Sequence, residues 1–557
     1  MLKRKIETFL QEKINHHLVL LTPKNTDFGD FSINMHQLGL TNTTSIIKNL
    51  KSPFFEKIEE KAGFINFFIS KKLLMEELEK IIQEKDRSGE NKLLTHQKIM
   101  LEFAHPNTHK LFHIGHLRNI ILGDALARIF TIAGASVVRA NYQGDVGLHI
   151  AKCLWKIKNK KLVPNEDEGL NIKNKKTATL EEKVQLLGAA YVEGNRAYES
   201  DEQAKKEIQE INRQIFTTDP MIMPLWKKTR TWSLEYFDNI YTRLGVGFDR
   251  LYFESEVADM GKKIALQALE KGILKKSEGA LIFDGERHDV DTRVFINSFG
   301  LPTYEGKELG LAHMEFTEFG TLDRCIHVVA AEQTSFFKTV FKVEELLDET
   351  LYKDKQHHLV YGMVRLKKGK MSSREGTIIE GPTLIDEIKE KIKKVFSCTT
   401  EIAEQLSIAS VKYAFLKTDA QKDIVFDIDE SISLHGNSGP YILYAFTRCQ
   451  SVLKKNIGHL KETNVNRVVL HREENLLLRA LVRFPEIVES AVAHSSPHIL
   501  CTYIYDLAQS FNLFYEKHPI LKAQENERMH RLRLTYATSI ILSNTLSLIG
   551  IDTIEKL

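Results

Sequence analysis

The spacing of apolar and polar positions changes character along the chain, and each change marks an expected boundary. Residues 1 to about 90 begin with a helical spacing (Ile6, Phe9, Leu10). They pass through the polar loop KNTDFGD and reach the strand-like GFINFFIS at 63–70, so a small α+β domain is predicted, closed by the charged stretch 84–92. From Lys98 short apolar runs alternate with helices: KIMLEFA, HLRNIILGDALARIFTIAG and SVVRANYQ read as strand, crossover helix and strand, the unit of a parallel sheet. Leu117, Ile120, Ile121, Ala125 and Leu126 share one helical face, and Gly134 suits a C-cap. Residues 151–265, rich in Lys, Glu and Gln, read as a helical insertion. ALIFDG, RVFINSFG, CIHVVAA and HHLVYGMVRL then supply the second half of the sheet. Beyond 383 the pattern is helical, with Leu507, Phe511, Phe514 and Tyr515 on one face, which predicts a bundle.

The expected architecture is α/β: a Rossmann-like doubly wound parallel-sheet domain at 91–382 with a helical insertion at 151–265. A small α+β N-terminal domain precedes it at 1–90, a helical connecting region follows at 383–430, and an all-α bundle occupies 431–557. A chain of 557 residues with 43% hydrophobic and 27% charged positions has apolar material for several cores, which excludes a disordered or fibrous class. The uncharged stretch 535–551 is broken by Ser, Asn and Thr, so no membrane partner is expected. The start, MLKRKIETFL, has no signal-peptide pattern, and a cytoplasmic protein is expected. The five cysteines lie far apart without a C-x-x-C pair, so they are expected to be reduced core residues and no metal ligands are assigned. A net charge of +3 is too mild to identify a polyanionic partner.

Two motifs carry candidate chemistry. His113-Ile114-Gly115-His116 stands where a strand and loop enter a helix. Gly115 admits close approach to the backbone, two imidazoles can donate to phosphate or ribose oxygens, and a helix N-terminus favours negative charge. Lys370-Met371-Ser372-Ser373-Arg374 follows a strand and a Lys-Gly turn, and its cations can clamp the charge that develops as pyrophosphate leaves. Taken singly, the first has a pair of helix-capping histidines as its competing reading, and the second an exposed basic loop.

In this order, across an insertion, the two motifs resemble the signatures of class I aminoacyl-tRNA synthetases. LEFAHPNTHKLFHIGHLRNIILGDALARIF, NYQGDVGLH, PTYEGKELGLA, HVVAAEQ, YGMVRLKKGKMSSREG and GNSGPYILYAFTR resemble blocks of the arginyl-tRNA synthetase family in the family's order. The resemblance implies a ligase that uses ATP and Mg2+ to activate L-arginine and then charges tRNA(Arg), acting as a monomer. It implies catalytic roles for His113, His116, Lys110 and Lys370, and nucleotide contacts by Gly115, Met371, Ser372 and Arg374. Ser373 stands where the class carries a second lysine, and Lys110 is expected to supply that charge. Glu102, Tyr304 and Glu308 are implied for the guanidinium, whose planar donors match carboxylates, and Asn107 and Gln333 for the amino-acid end. Glu308 replaces the aspartate common in the family. Asn141, Gly144 and Asp145 are implied at the amino-acid and ribose side, with a plain turn as the alternative. The bundle is implied to bind the anticodon side, with the signature D-A-L-R appearing as His530-Arg531-Leu532-Arg533, so Arg448, Arg531 and Arg533 are the tRNA-contact candidates. A catalytically weak paralogue kept as a tRNA-binding module is the competing reading.

Overall fold

The computed structural model describes residues 2–14, 18–23, 25–36, 47, 50–159, 178–367, 379–456 and 469–556. They form two compact units, one of Met1–Leu93, Ser397–Lys417 and Asp429–Leu557, the other of Leu94–Phe396 and Thr418–Ile428.

In the first unit, β1 (Phe31–Asn34), β2 (Phe55–Lys61) and β3 (Phe64–Ile69) make an antiparallel sheet in the order β1-β3-β2. Ile65, Phe67 and Ile69 of β3 are buried, and Ser70 caps the next helix, Lys71–Glu84, by accepting from the Leu73 amide. This small domain packs on the bundle through buried arginines: Arg479 pairs with Asp30 and Glu56, and Arg533 with Glu79. The N-terminal domain and the bundle, expected as separate bodies, therefore share one unit. In the bundle, Leu507, Phe511 and Phe514 are buried as predicted, whereas Tyr515 is 40% exposed.

The second unit is built on a parallel sheet in the order β11-β10-β4-β5-β6, with β4 at Lys98–Glu102, β5 at Ser136–Gln143, β6 at Arg250–Phe253, β10 at Arg324–Ala330 and β11 at Gln356–Tyr361. Chain order runs outward from β4 on both sides, so the topology switches beside β4. In such sheets ligands bind outside the carboxyl ends of the strands at that point. Met100, Val138, Ala140, Tyr252, Leu311 and Cys325 form the core under the sheet.

Three expectations need correction. Strand β6 lies inside the segment read as a helical insertion. Its four residues are too few to show a strand period, and its Arg250 bonds outward to Glu256 and Glu318. The segments ALIF and RVFI, β8 (Ala280–Phe283) and β9 (Arg293–Ile296), do not join the parallel sheet. With β7 (Lys275–Ser277) they form a separate antiparallel one. The connecting region 383–430 is divided: helix Gly381–Phe396 belongs to the sheet unit and Thr400–Leu416 to the bundle, while 418–428 returns to the sheet unit. That return is pinned by Arg118, buried in helix Ile114–Ile132, which donates to the carbonyls of Met363, Ala420 and Lys422 at 3.1, 2.8 and 2.9 Å. All five cysteines are free and four are buried, with Cys398 partly exposed. Among the described residues no helix is long and apolar enough to cross a membrane.

Candidate active site

The loop that leaves β4 is held in an unusual shape. Ala104, His105 and His109 have φ of +84°, +48° and +64°, a left-handed conformation that side chains disfavour and that persists only when the surroundings impose it. Two asparagines do so: Asn119 Oδ1 accepts from the Ala104 amide at 2.6 Å and Asn141 Oδ1 from the His105 amide at 3.2 Å. Both side chains are fixed at their other ends, Asn119 on the Val328 carbonyl and Asn141 on the Tyr241 hydroxyl.

The loop delivers His113 to the N-cap of helix Ile114–Ile132. Nδ1 of His113 accepts from the amides of Gly115 and His116 at 3.1 and 3.4 Å, while the His113 amide donates to Nδ1 of His116 at 3.2 Å. An accepting Nδ1 carries no proton, so the neutral form of each ring bears it on Nε2. Neutrality follows from the surroundings: burial, and then Lys110, push His113 down to about 4, and burial with His113, His105 and Lys110 pushes His116 well below the ordinary range. The rings stack at 3.7 Å, and a Cβ on Gly115 would stand 2.9 Å from Cε1 of His113, so glycine is required there. The histidines are thus both helix caps and a pair of Nε2–H donors. Lys110 places its ammonium 4.9 Å over the ring of Tyr191, and burial, then Lys152, lower its affinity for the proton.

Next to the loop lies a cavity of about 560 Å³ whose wall includes Glu102, Asn107, Tyr304, Glu308 and Gln333. All five residues expected at the amino acid are therefore brought together. Its charges are mostly matched. Glu254 pairs with Lys307 at 2.7 Å and Glu305 with Arg293 at 3.0 Å. Glu102 has Oε1 3.0 Å from Nδ1 of His105 and Oε2 2.7 Å from Nδ1 of His327. Burial raises the Glu102 carboxyl, but the two imidazoles outweigh it and hold the group below the usual carboxylate range. Glu308 is 5% exposed, and no cation lies within ion-pair distance of it among the described residues. Burial, and then the charge of Glu102, push it well above the ordinary carboxylate range.

The turn after β5 divides its tasks. Gly144 is required because a Cβ there would meet Oδ1 of Asn107 at 2.0 Å. The carboxylate of Asp145 is fully engaged, by Arg230 at 2.7 Å and by the amide and hydroxyl of Ser255 at 2.8 and 2.7 Å. Asp145 thereby ties helices Met223–Leu244 and Glu254–Glu270 to this turn. Lys370, Met371, Ser372 and Arg374 lie outside the described residues.

The C-terminal assignments divide as well. Arg531 and Arg533 are each 3% exposed and bound to Glu474 and Glu79, so they are not surface contacts for a phosphate. Helix Glu525–Leu548 starts before them and turns both inward. Arg448 lies between the rings of Tyr444 and Tyr515 at 4.6 and 4.8 Å and donates to Asn512 and the Tyr444 hydroxyl, all neutral partners.

The sequence reading missed Glu254, Tyr142 and His327. Glu254 follows the unrecognised β6, and His327 faces Glu102 only through the parallel register of β10 with β4.

Comparison with known proteins decides the family. Residues 77–428 match the catalytic domain of class I (R) tRNA synthetases, and residues 442–557 match the DALR anticodon binding domain. Arginine–tRNA ligase of Borrelia hermsii is 32% identical over 99% of this chain and 96% of its own length, and that of Treponema denticola is 32% identical over 99% and 96%. The chain belongs to the arginine–tRNA ligase family. Solved structures with the same fold include arginyl-tRNA synthetase of Thermus thermophilus, with TM-score 0.82 at 23% identity and 100% of both chains covered. That of Plasmodium falciparum gives 0.76 at 24% identity, covering 100% and 99%. The arginine–tRNA ligase fold thus accounts for the Rossmann-like sheet and the helical C-terminus described above.

Proposed function

We propose that this chain activates L-arginine with ATP and transfers the arginyl group to tRNA(Arg). The observation that supports it most is Glu308: a buried carboxylate with no cation within ion-pair distance among the described residues, in the same cavity wall as Glu102. A buried acid of this kind is costly until a cation reaches it, and a guanidinium brings both the charge and the paired donors. On this reading Glu102, Glu308 and Tyr304 take the guanidinium, and Asn107 and Gln333 hold the α-amino and carboxylate groups.

In the first step an arginine carboxylate oxygen attacks the α-phosphorus of ATP. The new O–P bond forms as the bond to the bridging oxygen breaks, and pyrophosphate leaves with that electron pair. The Nε2–H groups of His113 and His116 donate to the phosphoryl oxygens without adding charge, Gly115 lies under the nucleotide, and Lys110 supplies a cation. Lys370, Met371, Ser372 and Arg374 are assigned to the departing pyrophosphate and the nucleotide. In the second step a terminal ribose hydroxyl of the tRNA attacks the arginyl carbonyl and AMP leaves.

Mg2+ prefers oxygen and water ligands in an octahedron. The convergent donor groups Glu315–Cys325–His327 and Glu102–Glu308–His327 are buried and carry sulfur or imidazole, which suits Mg2+ poorly. Magnesium is therefore assigned to the nucleotide's phosphates and not to a protein cage. The bundle at 431–557, with Arg448, is assigned to the anticodon side, and residues 1–90 to the core of the tRNA. The enzyme is taken to work as a cytoplasmic monomer, which sedimentation of the purified protein checks.

The test is aminoacylation with each of the twenty amino acids, with and without matched tRNA. Charging by arginine alone is expected. Folded protein that binds tRNA and charges nothing would make the chain a binding module instead.

A further inference from the structure

Glu102 ends a chain of buried polar side chains that crosses three neighbouring strands. His327 on β10 stands opposite Glu102 on β4 in the parallel register, with Nδ1 2.7 Å from Oε2. On its far side Nε2 of His327 is 2.8 Å from Oε1 of Gln356 on β11, and Nε2 of Gln356 donates to Oε2 of Glu344 at 2.9 Å. Because Gln356 presents an oxygen that is itself fixed by Glu344, Nε2 of His327 is a donor and carries a proton. The carboxylate stands at ion-pair distance from Nδ1, though outside hydrogen-bond geometry, and its charge raises the ring's affinity for a second proton, which favours the imidazolium. Glu102, His327 and Glu344 are 2%, 0% and 1% exposed, and the rings of Phe337 and Phe341 lie 5.2 and 5.5 Å from His327, so water does not replace these contacts.

We propose that His327 is a positioning residue for arginine recognition: anchored through Gln356, it holds Glu102 ionised and turned toward the cavity without itself touching the amino acid. The inference rests on the arginine-ligase reading of the cavity. Its physical need is plain. Glu102 and Glu308 share a low-dielectric wall, and each charge opposes the other. A cation in contact with Oε2 of Glu102 favours the charged form of that acid; it also attracts Glu308, which lies in the same cluster within 4.8 Å but makes no ion pair with it. His105 binds the other oxygen, but its side chain is 20% exposed and it lines the cavity, where ligand and solvent both reach it.

The remaining ionisable groups around His327 are Cys325 on its own strand, Glu308 and Glu315 on helix Tyr304–Glu318, and His357 and His358 on β11. Burial, and then the charge of Glu102, raise Glu308 and Glu315, burial raises the Cys325 thiol, and burial pushes both strand histidines down. Glu102 is the carboxyl of this group held below its ordinary range, and together with Cys325 it favours the charged form of His327.

The test uses full-length H327N, which keeps a neutral donor near the position of Nδ1, together with Q356M, which cuts the tether and touches no substrate. Arginine and ATP kinetics of charging are measured, and arginine binding is titrated by calorimetry from about pH 6 to about pH 9. In H327N the arginine KM is expected to rise about tenfold to a hundredfold, with kcat at saturating arginine and the ATP KM close to wild type. The acid limb of arginine affinity moves to higher pH, since Glu102 must then lose its proton without help. Q356M shifts both readouts in the same direction by a smaller factor, and it carries the test if H327N does not fold. Unchanged arginine KM and pH profile in a folded variant would overturn the proposal. So would a fall in kcat with all KM values moving together, or stoichiometric zinc in the wild-type protein, which would put a metal ion in the place of the imidazolium proton. Failure of the wild type to charge arginine would instead remove the ligase reading.

Discussion

In the unit that contains the bundle, Arg531 meets Glu474 at 2.7 Å, Arg479 meets Asp30, and Arg533 meets Glu79. Around the cavity of the sheet unit, Glu254 and Glu305 are matched in the same way, but Glu308 has no cation within ion-pair distance among the described residues. The matched pairs join elements that are distant in the chain, and their charge is spent inside the protein. The unmatched acid is a cost in the free protein that only a cationic ligand removes. Burial alone therefore does not separate structural from functional charge, whereas the local balance of signs does.

The comparison breaks first, and most strongly, at the matched pairs. Glu474→Ala removes the nearest acid from buried Arg531, leaving it the Pro519 carbonyl and the more distant Glu527, and should lower unfolding free energy by about 3 kcal/mol in chemical denaturation, with the arginine KM of the folded protein unchanged. A raised arginine KM with unchanged stability would reverse the roles assigned to the two regions. Glu308→Gln should act the other way. Arginine kcat/KM falls about a hundredfold, roughly 3 kcal/mol, while thermal stability holds or rises because a neutral amide replaces a costly acid.

A smaller effect is expected at Arg448, whose partners are neutral. Arg448→Ala should weaken tRNA binding about tenfold at low salt and reduce the salt slope by about one, measured by fluorescence anisotropy. A change in stability alone would make Arg448 another internal contact.

A further effect, dependent on pH, concerns Glu344. Burial pushes its carboxyl from 4.5 to about 8 in the folded protein. The unfolded chain gives up that proton first, so the stabilisation is complete below 4.5 and declines as pH rises toward 8. Glu344→Gln should flatten stability against pH in that window. Equal slopes in both proteins would exclude Glu344 as the source.

How far the sequence could be read follows the same physics. His113, Gly115 and His116 were legible because their chemistry is local: a cap, a close backbone approach and two rings within one turn. The cavity acids were legible only through family blocks, since Glu102 ends an apolar strand and its partner His327 is contributed by a strand far along the chain. Strand β6 was lost because RLYF is too short to show a period. ALIF and RVFI alternate like any strand, and nothing in them specifies an antiparallel partner. Arg531 and Arg533 read as surface cations because charge predicts exposure unless an acid on another element pairs with it. Glu474 and Glu79 lie elsewhere in the chain.

The account turns on an unmatched acid that awaits a guanidinium, so the most direct test compares arginine with citrulline, which keeps the shape and lacks the charge. Charging kcat/KM should favour arginine by at least about a thousandfold in the wild type, and Glu308→Gln should remove most of that preference. A wild type that charges both alike, or a Glu308→Gln variant that discriminates as the wild type does, would contradict it.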